Sequence, residues 1–357
     1  MRKIFVAHTP YHLLLSVSLI QKYGKDIKKT LLVHKDFTIE NNVMENLNEI
    51  FDAVYVIQSN NKYCDDKIFT NYYNKLKLIT SIKHLIDFTH YDEIFIFNDN
   101  NVIDKKIIQL AKSSSNCVVN YVEDGSAAYN GIISQKRNLI NLSKAYIKKV
   151  LFGLKEYGSF VDVIGANNYI DKVVVMFPDL IRKELQTKCI CGIDKKHFIE
   201  GIDVLYKDEL TKINLPNNSV VIFLDLLSFV QSLDVNYIGL IERMILHYKD
   251  LGKNVYVKYH PRETNYYLKN SAFSYKLIDN SIPSEVLMRF CNNNTDVIAS
   301  ISTTLLTATL FEENIRPISF IKLLNYDDKN LQDVFMKFDI FMPQSISDFR
   351  STNAIDN

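Results

Sequence analysis

The sequence predicts an α/β protein made of two successive halves, each with a parallel sheet covered by helices. Short runs rich in Ile, Val, Phe and Tyr alternate with longer stretches of helical periodicity, which is typical of strands buried on both faces. This pattern restarts near residue 219, and 357 residues are enough for about two domains. With only 10 Gly and 7 Pro, we expect few linkers and much regular structure.

The first half is predicted to open with a strand at 4–7 and a helix that starts near Pro10, because proline suits the first helical turn. Its other predicted elements are strands at 30–33, 53–57, 93–97 and 117–122 and helices at 75–88 and 104–113. In the second half we expect strands at 219–224, 254–259, 296–300 and 317–321 and helices at 236–249, 284–291 and 303–312. A connector is expected within 186–217, where periodicity is weak, and we predict domains at 1–190 and 191–357.

Charge and cysteine content exclude several classes of protein. The chain has 42 Lys and Arg against 41 Asp and Glu, so it lacks the basic excess of proteins that bind nucleic acid. Five scattered cysteines do not form the even set of a disulfide framework and fit a cytoplasmic protein. We expect neither a signal peptide nor a transmembrane helix, because polar residues interrupt the opening apolar run and no long uncharged apolar stretch occurs.

The segment 137–155 is more basic than its surroundings. Basic residues at intervals of seven, four and seven fall on one helical stripe, with an apolar stripe beside it. The basic stripe comprises Arg137, Lys144, Lys148 and Lys155, and the apolar one Ile140, Ile147, Leu151 and Leu154. We expect either peripheral contact with an anionic membrane or a solvated face on an ordinary helix packed into the core.

Three short groups stand where an open α/β sheet binds its ligands, just after the carboxyl end of a strand. The first is Glu123-Asp124-Gly125, which follows the predicted strand 117–122. A carboxylate there can act as a general base toward a sugar hydroxyl, and glycine permits an unusual turn. The alternative is a common acidic turn without chemistry.

The second group is His260-Pro261-Arg262, at the end of the predicted strand 254–259. A histidine in this place can donate a proton or a hydrogen bond to a phosphate oxygen. Lys258 and Arg262 make the surroundings positive. A surface histidine without a functional role is the alternative.

The third group is Ser302-Thr303-Thr304, at the start of the predicted helix 303–312. Consecutive hydroxyls at a helix start favour an anion, although simple N-capping explains them equally well. The chain contains no glycine-rich dinucleotide or P-loop motif and no D-x-D metal-nucleotide motif.

In this order, the three groups resemble bacterial sialyltransferases of the two-domain GT-B type, in particular the lipo-oligosaccharide and capsule sialyltransferases of glycosyltransferase family 52. The opening His8-Thr9-Pro10-Tyr11-His12-Leu13 is similar to the first strand, turn and helix of that family. Ile282-Pro283-Ser284-Glu285-Val286-Leu287 is similar to the segment that holds the ribose of CMP. The resemblance implies two Rossmann-like domains with parallel sheets facing across a cleft, the N-terminal one on the acceptor side and the C-terminal one binding the CMP-sugar.

The family's roles transfer to this sequence position by position. Asp124 corresponds to the base that deprotonates the acceptor, and His260 to the group that acts on the CMP phosphate. The resemblance assigns phosphate binding to Ser302 and Thr303, ribose binding to Glu285, and further substrate contacts to Thr9, Tyr11, Glu123, Gly125, Pro261 and Thr304. Two departures are that Ser302-Thr303 replaces the family's usual Ser-Ser, and that Leu224-Asp225-Leu226 stands where a glycine-containing turn is expected.

The resemblance therefore implies an inverting sialyltransferase that moves sialic acid from CMP-sialic acid to a terminal sugar of a bacterial surface glycan. Galactose is the expected acceptor, and no metal or other cofactor is expected, since a single phosphate leaving group needs less metal assistance than a diphosphate. We expect a cytoplasmic enzyme, peripheral on the inner membrane face, and a homodimer is compatible with the family. The alternatives are another GT-B glycosyltransferase with a different nucleotide sugar, and a non-catalytic protein that binds nucleotides or glycans.

Overall fold

A computed structural model shows two compact units, Met1–Lys207 and Asp208–Asn357. It describes residues 1–23, 27–35, 37–58, 68–113, 117–130, 138–154, 163–209, 215–268, 275–292, 294–311 and 313–349. Within these ranges, no helix combines the length and the apolar character that crossing a bilayer requires.

The first unit contains a seven-stranded sheet in which every pairing is parallel. Its strands are β1 (Arg2–Ala7), β2 (Lys28–Lys35), β3 (Ala53–Gln58), β4 (Glu93–Ile96), β5 (Val118–Val122), β6 (Lys172–Val175) and β7 (Cys189–Gly192), in the spatial order β3-β2-β1-β4-β5-β6-β7. Its helices are α1 (Pro10–Tyr23), α2 (Asn41–Ile50), α3 (Ile68–Leu85), α4 (Val102–Ala111), α5 (Leu139–Leu151) and α6 (Lys195–Leu205).

The second unit contains a five-stranded parallel sheet in the order β10-β9-β8-β11-β12. Its strands are β8 (Ser219–Phe223), β9 (Asn254–Lys258), β10 (Lys276–Leu277), β11 (Thr295–Ala299) and β12 (Ile315–Ser319). Its helices are α7 (Leu227–Val230), α8 (Tyr237–Asp250), α9 (Ser284–Arg289), α10 (Thr304–Ala308) and α11 (Lys329–Lys337).

The central strands are buried on both faces, as their unbroken apolar runs predict. Ile4, Phe5 and Val6 of β1 are consecutive and completely buried, so neighbouring side chains on opposite faces of the sheet are both covered. Every predicted strand and helix overlaps an observed one. The predicted helix 303–312 is shorter than expected, because α10 ends at Ala308 and a single 3₁₀ turn follows.

The boundary between the two units follows Lys207, which is later in the sequence than the predicted boundary at 190/191. It lies within the expected connector 186–217. Two elements beyond residue 188 belong to the first unit. β7 pairs with β6 along its length, and α6 packs against α1. The first sheet therefore continues to a seventh strand, and one more helix covers it.

The contact between α1 and α6 depends on the absence of a side chain at Gly201. A Cβ atom there would lie 2.4 Å from Oγ of Ser18 and 3.1 Å from the backbone nitrogen of the same residue. Because Ser18 is itself buried, its backbone has little room to retreat from an added methyl group.

We expect Gly201→Ala to lower the free energy of unfolding by about 1–3 kcal/mol, since it overpacks this contact. The matched control is Gly239→Ala on α8, where a Cβ meets nothing within 4 Å. That control is expected to gain about 0.5–1 kcal/mol from helix propensity alone. Urea denaturation of both variants checks the pair, and equal behaviour of the two would contradict the close contact.

Candidate functional site

Asp124 lies just past the carboxyl end of β5, where the chain turns into a short 3₁₀ helix, Gly125–Ala128. Gly125 has a φ of 58°, in the left-handed region that favours glycine, which explains why this residue type follows the two carboxylates. The Asp124 side chain remains 34% exposed. A carboxylate held at the strand end is therefore accessible to a ligand.

The carboxylate of Asp124 is fixed by two side chains from other elements. Nε2 of His12, on α1, lies 3.0 Å from Oδ1, and the side-chain amide of Asn98 donates to Oδ2 at 3.5 Å. Burial alone would raise the pKa of Asp124, but the hydrogen bond from Nε2–H of His12, with smaller contributions from His8 and Asn98, lowers that pKa below its usual range. The group is accordingly ionised near neutral pH, as a general base must be.

His12 is buried and its protonation is defined by its partners. Its Nδ1 accepts the backbone N–H of His8 at 3.1 Å, so the proton resides on Nε2, which donates to Asp124. Burial lowers the pKa of His12, which keeps the imidazole neutral. The ring also stacks on Phe97 with centroids 4.0 Å apart.

The sequence did not single out His12, although its segment carried part of the family resemblance. The available signal was the pair His8 and His12, which flank the turn from β1 into α1. In the structure, His8 contacts the buried Asp104 at 2.9 Å and the ring of His34 at 3.2 Å.

Glu123 is buried and accepts hydrogen bonds from the protein itself. The Tyr11 hydroxyl donates at 2.7 Å, the Met176 backbone N–H donates at 2.7 Å, and the Tyr129 hydroxyl is a third donor. Burial raises the pKa of Glu123. The Thr9 hydroxyl, in turn, accepts the backbone N–H of His12. Tyr11 and Glu123 thus hold the segment next to Asp124, and Thr9 holds the start of α1. The predicted substrate contacts of Thr9, Tyr11 and Glu123 remain predictions.

In the second unit, His260 lies two positions after Lys258, the last residue of β9. The backbone N–H of Arg262 donates to its Nδ1 at 3.1 Å, which leaves the proton of the neutral ring on Nε2. Burial, followed by the nearby charges of Arg262 and Lys258, lowers the pKa of His260. Pro261 is exposed beside it. His260 is thus presented as a neutral donor next to positive charge.

The segment Ser302-Thr303-Thr304 is hydrogen-bonded to the start of α9. The Thr304 hydroxyl donates to that of Ser284 at 3.1 Å, and the Ser284 hydroxyl donates to Glu285 at 3.0 Å. The Ser302 hydroxyl accepts the backbone N–H of Thr304, while Thr303 is exposed. The structure therefore brings the predicted phosphate-binding residues and the predicted ribose-binding residue into one cluster.

Lys258 links this cluster to the end of β9. It is buried, its ammonium donates to the carbonyl of Asn280 at 3.2 Å, and burial lowers its pKa to about 8, partly offset by the charge of Glu285. Burial likewise raises the pKa of Glu285. A single residue, Tyr259, separates Lys258 from His260.

Asp225, at the turn after β8, occupies the place where a glycine-containing turn was expected. Its Oδ2 accepts from the hydroxyls of Tyr237, at 3.2 Å, and Ser300. A buried carboxylate thus fastens the ends of β8 and β11 together. Among the described residues, no three His, Cys, Asp or Glu side chains are arranged to hold a metal ion.

Solved structures of similar fold include a sialyltransferase and an epimerase. One is an α/β-galactoside α-2,3-sialyltransferase from Photobacterium phosphoreum, 14% identical, with a TM-score of 0.58 over 98% of this chain and 99% of that one. Another is a UDP-GlcNAc 2-epimerase from Methanocaldococcus jannaschii, 12% identical, with a TM-score of 0.58 over 97% of this chain and 90% of that one. At these identities the likeness concerns the fold, which is of the GT-B type.

The family of the chain is identified by comparing its sequence with family profiles. Comparison with curated protein sequences gave no match. The profile described as Alpha-2,8-polysialyltransferase (POLYST) matches residues 3–319, which is most of the chain and includes all three motif groups. This confirms the resemblance to bacterial sialyltransferases. The chain belongs to the alpha-2,8-polysialyltransferase family and is a glycosyltransferase.

Proposed function

We propose that the protein transfers sialic acid from CMP-sialic acid to a hydroxyl of a terminal sugar on a bacterial surface glycan, such as lipo-oligosaccharide or capsule. The observation that carries the proposal is the accessible, ionised carboxylate of Asp124, fixed by His12 at a strand end. Such a carboxylate is suited to removing a proton from a sugar hydroxyl.

In the proposed reaction, the acceptor oxygen attacks the anomeric carbon of sialic acid while its proton passes to Asp124. The bond from the anomeric carbon to the phosphate oxygen breaks, and CMP leaves with the electron pair. A single displacement of this kind inverts the configuration. Hydrogen-bond donors that face the departing phosphate stabilise its developing charge and supply what a metal would otherwise supply.

The second unit offers such donors. We assign phosphate contacts to Nε2–H of His260 and to the hydroxyls of Ser302 and Thr303, with Pro261 and Thr304 beside them. Glu285 is the proposed ribose ligand; the Ser284 hydroxyl already donates to one of its oxygens, Oε1. Burial raises the pKa of Glu285, and the positive charge of Lys258 offsets part of that rise.

Galactose is the proposed acceptor sugar, in line with the galactoside named for the Photobacterium enzyme. A terminal sialic acid is the second candidate, because the family description specifies an α2,8-linked polymer of sialic acid. A surface glycan is assembled on a lipid or at a membrane, so we also propose a cytoplasmic enzyme in peripheral contact with the inner membrane face through 137–155. Homodimer formation remains a prediction.

The proposal is tested by release of CMP from CMP-sialic acid, with acceptors ending in galactose and in sialic acid. We expect turnover with at least one acceptor, and thermal stabilisation by CMP but not by UDP or GDP. Stabilisation by UDP with turnover of a UDP-sugar would favour another GT-B glycosyltransferase. Nucleotide binding without turnover over a broad panel would indicate a non-catalytic binding protein.

Asp124→Asn should lower kcat by about 10²–10⁴-fold, the usual contribution of a general base, because the amide cannot accept the proton. Thermal stabilisation by CMP should persist, since the nucleotide contacts are assigned to the second unit. The matched control is Asp179→Asn, an exposed carboxylate of the same unit, which should leave kcat unchanged. An Asp124→Asn enzyme with full activity would remove Asp124 from its proposed role.

The pH profile of kcat/KM follows from the two shifted groups. Activity requires ionised Asp124, so it should fall only as the pH drops through a pKa below the ordinary 3.8. His260 has a pKa below 6.5 and acts here as a neutral donor, so activity should not decline as the pH rises past 6.5. Steady-state assays over this range check both limbs. A decline through pH 6.5 that His260→Asn abolishes would instead make the imidazolium the active form.

A further inference from the structure

The helix α5 presents its apolar side chains to solvent. Exposure reaches 86% for Leu139, 64% for Ile140, 63% for Tyr146, 50% for Ile147 and 64% for Val150. Among the residues of α5, all of which the structure describes, Ala145 is the only buried one. The core-packed helix considered from the sequence is therefore wrong for this segment; Arg137 and Lys155 lie outside the described residues.

The helical geometry puts apolar and basic residues on separate parts of this surface. At 100° per residue, the exposed apolar positions of α5 cover an arc of about 180° centred away from Ala145. Lys144 and Lys148 border one edge of this arc and Lys149 the other. An apolar strip with lysines along both edges is the arrangement of a helix lying in a membrane interface, where lysine stems reach outward to the headgroups.

The charge of the segment decides between a membrane and a second copy of the chain. Residues 138–154 contain three lysines and no Asp or Glu. Pairing of this face with itself would bring lysines against lysines, whereas anionic headgroups would complement them. We infer that α5 lies in the interface of an anionic bilayer with its outward apolar arc in the lipid. This inference deepens the membrane location proposed above.

Vesicle co-sedimentation of the full-length protein tests the inference without any substrate. We expect stronger binding to vesicles that contain phosphatidylglycerol than to pure phosphatidylcholine. Replacing Ile147 and Val150 together by Gln should lower the partition coefficient by at least about tenfold, because two exposed apolar side chains are lost. Val235→Gln, at an apolar residue of the second unit that is 84% exposed, is the matched control and should bind as the unaltered chain does.

The charges are tested separately. Lys144→Gln with Lys148→Gln should reduce the preference for anionic vesicles by about fivefold per lysine. Activity toward a soluble acceptor should stay unchanged in both double variants, so failure of this inference is distinguishable from failure of the proposed reaction. Equal vesicle binding by all variants would overturn it. So would a dimer that the Ile147 and Val150 replacements dissociate while vesicle binding is absent.

A separate observation concerns how His12 acts on Asp124. Both ring nitrogens of His12 are committed, Nδ1 to the His8 backbone and Nε2 to Oδ1 of Asp124, while the stacked Phe97 ring covers one face. The imidazole can therefore neither accept the acceptor's proton nor turn away from Asp124. On the basis of the proposed role of Asp124, the geometry assigns His12 as the positioning residue that presents the base and stabilises its ionised form.

Other titratable groups face the same carboxylate and have to remain in place in the test. They are His8 from the turn after β1, Tyr121 and Glu123 from its own segment, and, behind the two histidines, Asp104 from α4. The hydrogen bond from Asn98 also persists when His12 is replaced. A change at His12 alone thus removes one donor from Oδ1.

His12→Phe keeps the aromatic stacking and removes the donor, whereas His12→Gln keeps an N–H at the position of Nε2. We expect the acid limb of kcat/KM to move up by about one to two pH units in His12→Phe, the value of a hydrogen bond to a charged group. His12→Gln should return the limb toward that of the unaltered enzyme. Thermal stabilisation by CMP should be the same in both.

A loss of activity in both variants without a shift of the acid limb would overturn the assignment, because it would mean that His12 only packs. If His12→Phe does not fold, nitrogen NMR of the histidines in the unaltered protein decides. We expect the His12 ring to carry its proton on Nε2 and none on Nδ1 at neutral pH, as its two hydrogen bonds require; a ring protonated on Nδ1 would overturn the assignment. The role of Asp124 as the base is tested separately by the activity of Asp124→Asn. The proposal for His12 can therefore fail while the proposal for Asp124 stands.

Discussion

The buried carboxylate of Glu123 joins three segments of the first unit that are far apart in sequence. It accepts from Tyr11 on α1, from the backbone N–H of Met176 after β6, and from Tyr129 after the 3₁₀ turn. A buried carboxylate left without donors would be costly, so these contacts hold one another in place. Because Glu123 is fixed inward, the adjacent Asp124 is directed outward, and the opening helix is held where His12 can reach it.

Two neighbouring carboxyl groups thus have opposite properties. Burial dominates at Glu123 and raises its pKa, whereas donors and nearby histidines outweigh burial at Asp124 and lower its pKa. Environments that separate the pKa values of paired groups commonly separate their roles as well. In the second unit, Asp225 is buried between Tyr237 and Ser300 as a structural group, whereas His260 lies partly open beside positive charge.

The sequence was most informative where one element alone carries the signal. Buried strands such as β1 and β8 were predictable because their apolar runs are continuous, and Asp124 and His260 because each follows such a run. β6 and β7 escaped because they are four residues each and β7 is a partly exposed edge with Cys and Gly. His12 escaped because its partner lies 112 residues away, and periodicity could not tell which side of α5 faces outward, since that depends on the rest of the fold.

The contact between His12 and Asp124 also limits how the first unit can be recombined with that of a relative. A chimera joined at any point between α1 and β5 would take the histidine from one parent and the carboxylate, with Glu123, from the other. Tyr11 and Met176, which both donate to Glu123, would likewise come from different parents. Small differences in the position of α1 would then displace Asp124. Crossover points near the boundary of the two units avoid this division, because each unit then inherits its own set of hydrogen-bond partners.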